Sequence, residues 1–123
     1  MQALPSGYTQ DYARGYSAAR GSLPPRRISV RVASELQPLI PRFLANRRTE
    51  VPLLEQAVEC EDSETLRRIG HGLKGAGGGY GFDEITRIGA QLETTAKVGN
   101  CEAARRLVSA LKRYLDDIEV SFE

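Results

Sequence analysis
At 123 residues the chain is one domain, large enough to bury a single core. Its 41% hydrophobic and 27% charged content is ordinary for a globular protein, and no apolar run approaches the roughly 18 residues of a membrane span. A formal net charge of +1 sets up no global field toward nucleic acid or a membrane surface.

Residues 1–29 read as a flexible N-terminal tail. Gly7, Gly15, Gly21, Pro5, Pro24 and Pro25 punctuate it, and few aliphatic side chains are there to bury. Residues 1–31 hold five arginines against one aspartate, while the rest of the chain holds twelve basic and fifteen acidic residues. Tyr8, Tyr12 and Tyr16 fall four apart; with Arg14 and Arg20 they make either a mobile extension or a contact for RNA or an acidic partner. The apolar core of a signal peptide is missing, so the expected location is the cytoplasm.

The bundle proper is expected over residues 30–123. From Ala33 the pattern turns helical, with Leu36, Leu39, Ile40, Phe43 and Leu44 on one face and Ser34 as a fair N-cap. Proline removes a helical donor and clashes one turn back, so Pro52 predicts a break or kink between Arg48 and Pro52. A second segment then runs through Leu53, Leu54, Ala57 and Val58. Cys60 and Cys101 have no C-x-x-C partner, and with a single histidine the chain offers no metal-ligand cluster; both read as reduced, buried or half-buried thiols.

Asp62 or Ser63 caps the next helix, where Leu66, Ile69, Leu73, Ala76 and Tyr80 recur at three- and four-residue spacing. At about 100° per residue, His71 lies roughly opposite that stripe, flanked by Arg67, Lys74, Gly75 and Gly78. Seven of the twelve glycines crowd residues 69–81, and each costs about 1 kcal/mol against alanine inside a helix. From Gly75 onward a helix and a glycine-rich loop are therefore both open. Gly70-His71-Gly72-Leu73-Lys74-Gly75 fits G-x-G-x-x-G, but that pattern marks a dinucleotide site only after a strand, and helix-like spacing precedes it here.

Gly81 gives a turn, and Asp83 and Glu84 suit a helix start. Ile85, Ile88, Leu92 and Ala96 form that helix's buried stripe; Gly99 and Asn100 stop it and cap the next. Ala104, Leu107, Leu111, Leu115 and Ile118 carry the last helix. No alternating strand stands out, and short connections imply antiparallel neighbours. The expected fold class is all-α, an antiparallel up-down four-helix bundle with a flexible N-terminal extension.

His71-Gly72-Leu73-Lys74-Gly75, with Gly81 ten residues past the histidine, resembles the H-x-L-K-G…G signature of histidine-phosphotransfer (HPt) domains. The resemblance spans about residues 36–123 and departs only in the density of glycine after the motif. It implies a phosphocarrier, without kinase activity of its own, in a two-component phosphorelay. His71 would take a phosphoryl group from the aspartate of a response-regulator receiver domain and pass it on. Lys74 would face the phosphoryl oxygens, and Glu93 would accept the Nδ1 proton of His71, although Glu93 reads equally as an exposed glutamate on a helix flank. Arg67, Gly75 and Gly78 would meet the partner, Gly75 through its missing side chain. The expected partners are receiver domains, with a hybrid sensor kinase as a further candidate; the carrier itself is expected to be a monomer. It would carry no metal or cofactor, magnesium being held by the receiver, and would bind neither nucleic acid nor membrane. The alternative is a non-catalytic helical adaptor that keeps the bundle and binds signalling proteins.

Overall fold
The computed structural model describes residues 27–123. The tail assigned to residues 1–29 lies outside them, except for its last three positions. Four helices make up most of the described chain: α1 (Ile40–Glu59), α2 (Ser63–Gly77), α3 (Asp83–Lys97) and α4 (Cys101–Asp117). Two strands flank them, β1 (Ile28–Val32) and β2 (Ile118–Phe122), and a 3-10 segment (Ser34–Leu39) leads into α1. The helices agree with the all-α expectation; the strands correct the statement that no strand stands out.

Contacts between neighbours fix the directions. On α1 and α4, Glu59 pairs with Arg105, Glu55 with Lys112, and Arg48 donates to the carbonyl of Leu115. As one number falls the other rises, so the two helices run antiparallel. The same holds for α2 and α3, where Gly77 lies against Thr86, Gly70 against Leu92, and His71 against Glu93. An even number of such helices returns the chain to the end at which α1 began. There β1 and β2 pair in parallel, Ile28 opposite Ile118 through Val32 opposite Phe122. The bundle itself serves as the long crossover that parallel strands require. Ile28, Val30, Val32, Ile118, Val120 and Phe122 turn onto the core while their neighbours face water.

The helical stripes bury as their spacing demands. Leu66, Ile69 and Leu73 of α2, Ile85, Ile88, Leu92 and Ala96 of α3, and Ala104, Leu111 and Leu115 of α4 form one core with Phe43, Leu54, Val58 and Phe82. Phe43 stacks on Tyr80 at 4.4 Å and on Phe82 at 5.3 Å, which ties α1 to the turn after α2. Burying such side chains is worth about 1.5–3 kcal/mol each and is the main force holding the helices together.

Several expectations change. Helix α1 passes through Pro52 without a break. Arg48 and Pro52 are both exposed, so the carbonyl that loses its donor lies on the watered side of the helix. The cap of the 3-10 segment is Ala33 rather than Ser34, with no side-chain bond. Leu39 is exposed rather than part of the apolar face. Ile118 opens β2 instead of ending α4, because a 17-residue helix has already reached the sheet. Cys60 and Cys101 are free thiols, but Cys60 is exposed rather than buried. Asp62 and Asn100 cap as expected, each accepting a backbone N–H at 3.1 Å, from Thr65 and Ala103.

Candidate functional site
The glycine run resolves as helix to Gly77, then one 3-10 turn (Gly78–Tyr80) closed by Gly81 at φ 90°. The glycines divide into two kinds. A Cβ on Gly72, Gly75 or Gly79 would meet nothing within 4 Å. One on Gly70 would meet the Glu93 nitrogen at 2.9 Å, and one on Gly89 would meet the Gly70 carbonyl at 2.7 Å and crowd the Lys74 nitrogen. Gly70 and Gly89 thus face each other across α2 and α3 and let the two backbones nearly touch. That closeness brings a side chain of α3 within reach of the exposed face of α2.

The side chain so placed is Glu93. His71 Nδ1 lies 3.1 Å from its Oε2, and Lys74 Nζ lies 3.6 Å from its Oε1. The His71 side chain is 69% exposed and that of Glu93 only 12%. Loss of hydration is the largest single influence on the Glu93 carboxyl and raises its pKa. The hydrogen bond from His71 and the charges of Lys74, His71 and Lys97 together outweigh it and hold the pKa below its ordinary value. An ionised carboxylate only accepts, so Nδ1 must carry the proton. Whenever the ring is neutral, Nε2 then keeps its lone pair, on a side chain that is mostly exposed.

Of the other sequence-derived residues, Gly75 and Gly78 share this exposed face, and Arg67 is held one turn before His71 by Glu64 at 2.7 Å. Sequence reasoning missed Gly70 and Gly89 as the close-approach pair and missed Lys97, whose Nζ lies 4.0 Å from Glu93 Oε2. Both had signals. A glycine inside a buried helical stripe marks a close backbone approach, and Lys97 follows Glu93 at the i,i+4 spacing of a helical pair.

Depressed carboxyls give the fold a pH dependence of definite sign. Asp62 is lowered chiefly by the Thr65 hydroxyl, Glu84 by Arg87, and Glu93 as above. The folded state binds fewer protons at these groups than the unfolded chain. Their stabilisation is therefore complete above the ordinary carboxylate range and is lost as pH falls through the lowered folded values. Glu50, raised by burial, has the opposite sign. Thermal melts between about pH 6 and about pH 3 should show the midpoint falling with acidification, and less steeply in Glu93→Gln.

An exposed imidazole bonded to a carboxylate, with a cation one turn away and bare backbone beside it, marks one face of this helical bundle. The family model described as Hpt domain matches residues 39–121, and the chain belongs to that family. Hpt domains act in histidine phosphotransfer within phosphorelays, as carriers rather than catalysts, and interact with response-regulator receiver domains. No curated protein and no solved structure matches the chain. Among the described residues no group of three or more His, Cys, Asp or Glu is placed to hold a metal ion, and no helix is long and apolar enough to cross a membrane.

Proposed function
We propose that His71 is the phosphoryl carrier of this chain, accepting from and donating to receiver-domain aspartates. The observation that carries the reading is the ring itself: 69% exposed, with Nδ1 committed to Glu93 and Nε2 free. Nε2 attacks the phosphorus of a phospho-aspartate. A P–N bond forms, the P–O bond to the aspartate breaks, and the carboxylate leaves with its electron pair. The ring, still protonated on Nδ1, becomes cationic, and the ionised Glu93 beside it offsets that charge. Transfer onward is the same step reversed with another receiver.

Such a step has little covalent work for the carrier to do beyond alignment and charge, since the transition state is loose and in line. Open space at Gly72 and Gly75 lets a partner's loops approach the ring. Gly78 extends that bare strip, and Arg67 offers a cation at its edge. Lys74, half exposed, supplies charge to the phosphoryl oxygens. Magnesium belongs to the receiver's acidic cluster in this reading; the carrier brings no cofactor and no kinase activity. Lys74→Ala is expected to slow transfer by about tenfold to a hundredfold without stopping it, read by quenched time courses against a phosphorylated receiver. The test of the reading as a whole is incubation with radiolabelled phospho-receiver: label should appear on this chain as acid-labile, alkali-stable phosphate.

A further inference from the structure
We propose that the outer edge of β2 pairs with the same edge of a second copy of this chain, in place of the monomer expected from the sequence. A two-stranded sheet has two edges, and unpaired backbone groups on an edge are a template for a further strand. The ladder fixes which groups those are. Glu123 N–H donates to the Val32 carbonyl at 3.1 Å, and Val32 stands opposite Phe122. In a parallel pair alternate residues turn their backbone groups to the partner, so Glu119, Ser121 and Glu123 serve the ladder. The backbones of Ile118, Val120 and Phe122 therefore turn outward. Ile118 gives its N–H to the Tyr114 carbonyl, while Val120 and Phe122 have no backbone partner among the described residues. Neither proline nor bulge guards this edge, since β2 pairs in unbroken register from Ile118 to Phe122.

The occupant is a second copy because β2 matches itself. Turned antiparallel about a two-fold axis through Val120, Ile118 meets Phe122 of the second copy and Val120 meets Val120. Each of these pairs joins outward-facing residues, the condition for a hydrogen-bonded antiparallel pair. Bonds run between the two Val120 residues and from each Phe122 N–H to the opposing Ile118 carbonyl. On the apolar face Ile118, Val120 and Phe122, each only partly buried in one copy, cover one another. On the polar face Glu119 stands opposite Ser121, so no like charges are directly opposed, and Arg27 at 3.3 Å already offsets Glu119. Head-to-tail growth is closed off. The same alternation turns the Arg31 carbonyl outward on β1, and the Gly81 turn occupies that place: a Cβ there would stand 3.7 Å from the carbonyl. One closed pair forms rather than a fibre. A strand of five residues makes a small interface, so the association is weak. His71, near the middle of α2 and away from the sheet, stays open in each copy.

Sedimentation equilibrium of the full chain tests this. Wild type should be half dimeric at a concentration between about 10 µM and about 1 mM, the range of a small interface. Val120→Pro removes only an outward N–H and should be monomeric throughout that range with its helical dichroism unchanged. Ser29→Pro removes an outward N–H from the opposite edge and should dimerise like wild type. A cysteine at the two-fold axis gives a readout that does not depend on the proline variant folding. In a Cys60→Ser, Cys101→Ser background, Val120→Cys should cross-link into a dimer under peroxide, since directly opposed hydrogen-bonded residues stand about 5.5 Å apart. Ser29→Cys, at the same concentration, should not. A dimer that survives Val120→Pro, or no cross-link in Val120→Cys, overturns the inference. A wild-type chain still monomeric at about 1 mM also overturns it, and leaves the edge to a strand of another protein.

Discussion

His71→Gln should take no label from a phosphorylated receiver, a loss of more than about a hundredfold, while its melting temperature and helical dichroism stay at wild type. The expectation follows from what glutamine keeps and what it lacks. Its amide N–H can still donate to Glu93, and its size suits an exposed position on α2. It has no nucleophilic nitrogen lone pair. Because the side chain stands 69% exposed, replacing it removes little packing, and the change in stability should stay within about 0.5 kcal/mol. The chain holds no second histidine to take over. Acid-labile, alkali-stable phosphate on His71→Gln would therefore remove the carrier reading outright, whatever the fate of Lys74 or Glu93.

The helices were legible because their evidence is local. Leu66, Ile69 and Leu73 on one side of α2 and His71 on the other follow from period alone, and the caps at Asp62 and Asn100 follow from side-chain chemistry. The strands also carry a local signal, since Ile28-Ser29-Val30-Arg31-Val32 and Ile118-Glu119-Val120-Ser121-Phe122 alternate strictly. What no local pattern states is that two short runs, one before the four helices in sequence and one after them, become neighbours. That depends on an even number of antiparallel helices closing the path. Pro52 misled for a related reason: its cost depends on whether the orphaned carbonyl faces water, which only the packed helix decides. In the site, the position of His71 followed from period. The role of Glu93 stayed open, because its distance to His71 is set by how closely two backbones pack, and that is a property of Gly70 and Gly89 together.

Gly89→Ala should destabilise the fold by about 3 kcal/mol, lowering the melting temperature by about 12–24 °C, whereas Gly75→Ala should raise it by about 4–8 °C. Both changes add one methyl group to a helical glycine, and helix propensity alone favours both by about 1 kcal/mol. The surroundings reverse the sign at Gly89. Its new Cβ would crowd the Lys74 nitrogen and stand 2.7 Å from both the Gly70 carbonyl and the Leu73 Cβ. Two of those three atoms are backbone, so relief requires α3 to move off α2. At Gly75 the methyl enters open space and no contact is lost. The functional consequences should also separate. Moving α3 outward draws Glu93 from His71, so Gly89→Ala should slow loading by phosphoramidate as well as transfer from a receiver. Gly75→Ala leaves the His71–Glu93 bond intact and obstructs only an approaching protein surface; phosphoramidate loading should hold while receiver transfer slows. Equal slowing of both reactions in Gly75→Ala would place the glycine in the bundle's own geometry and remove it from the docking face.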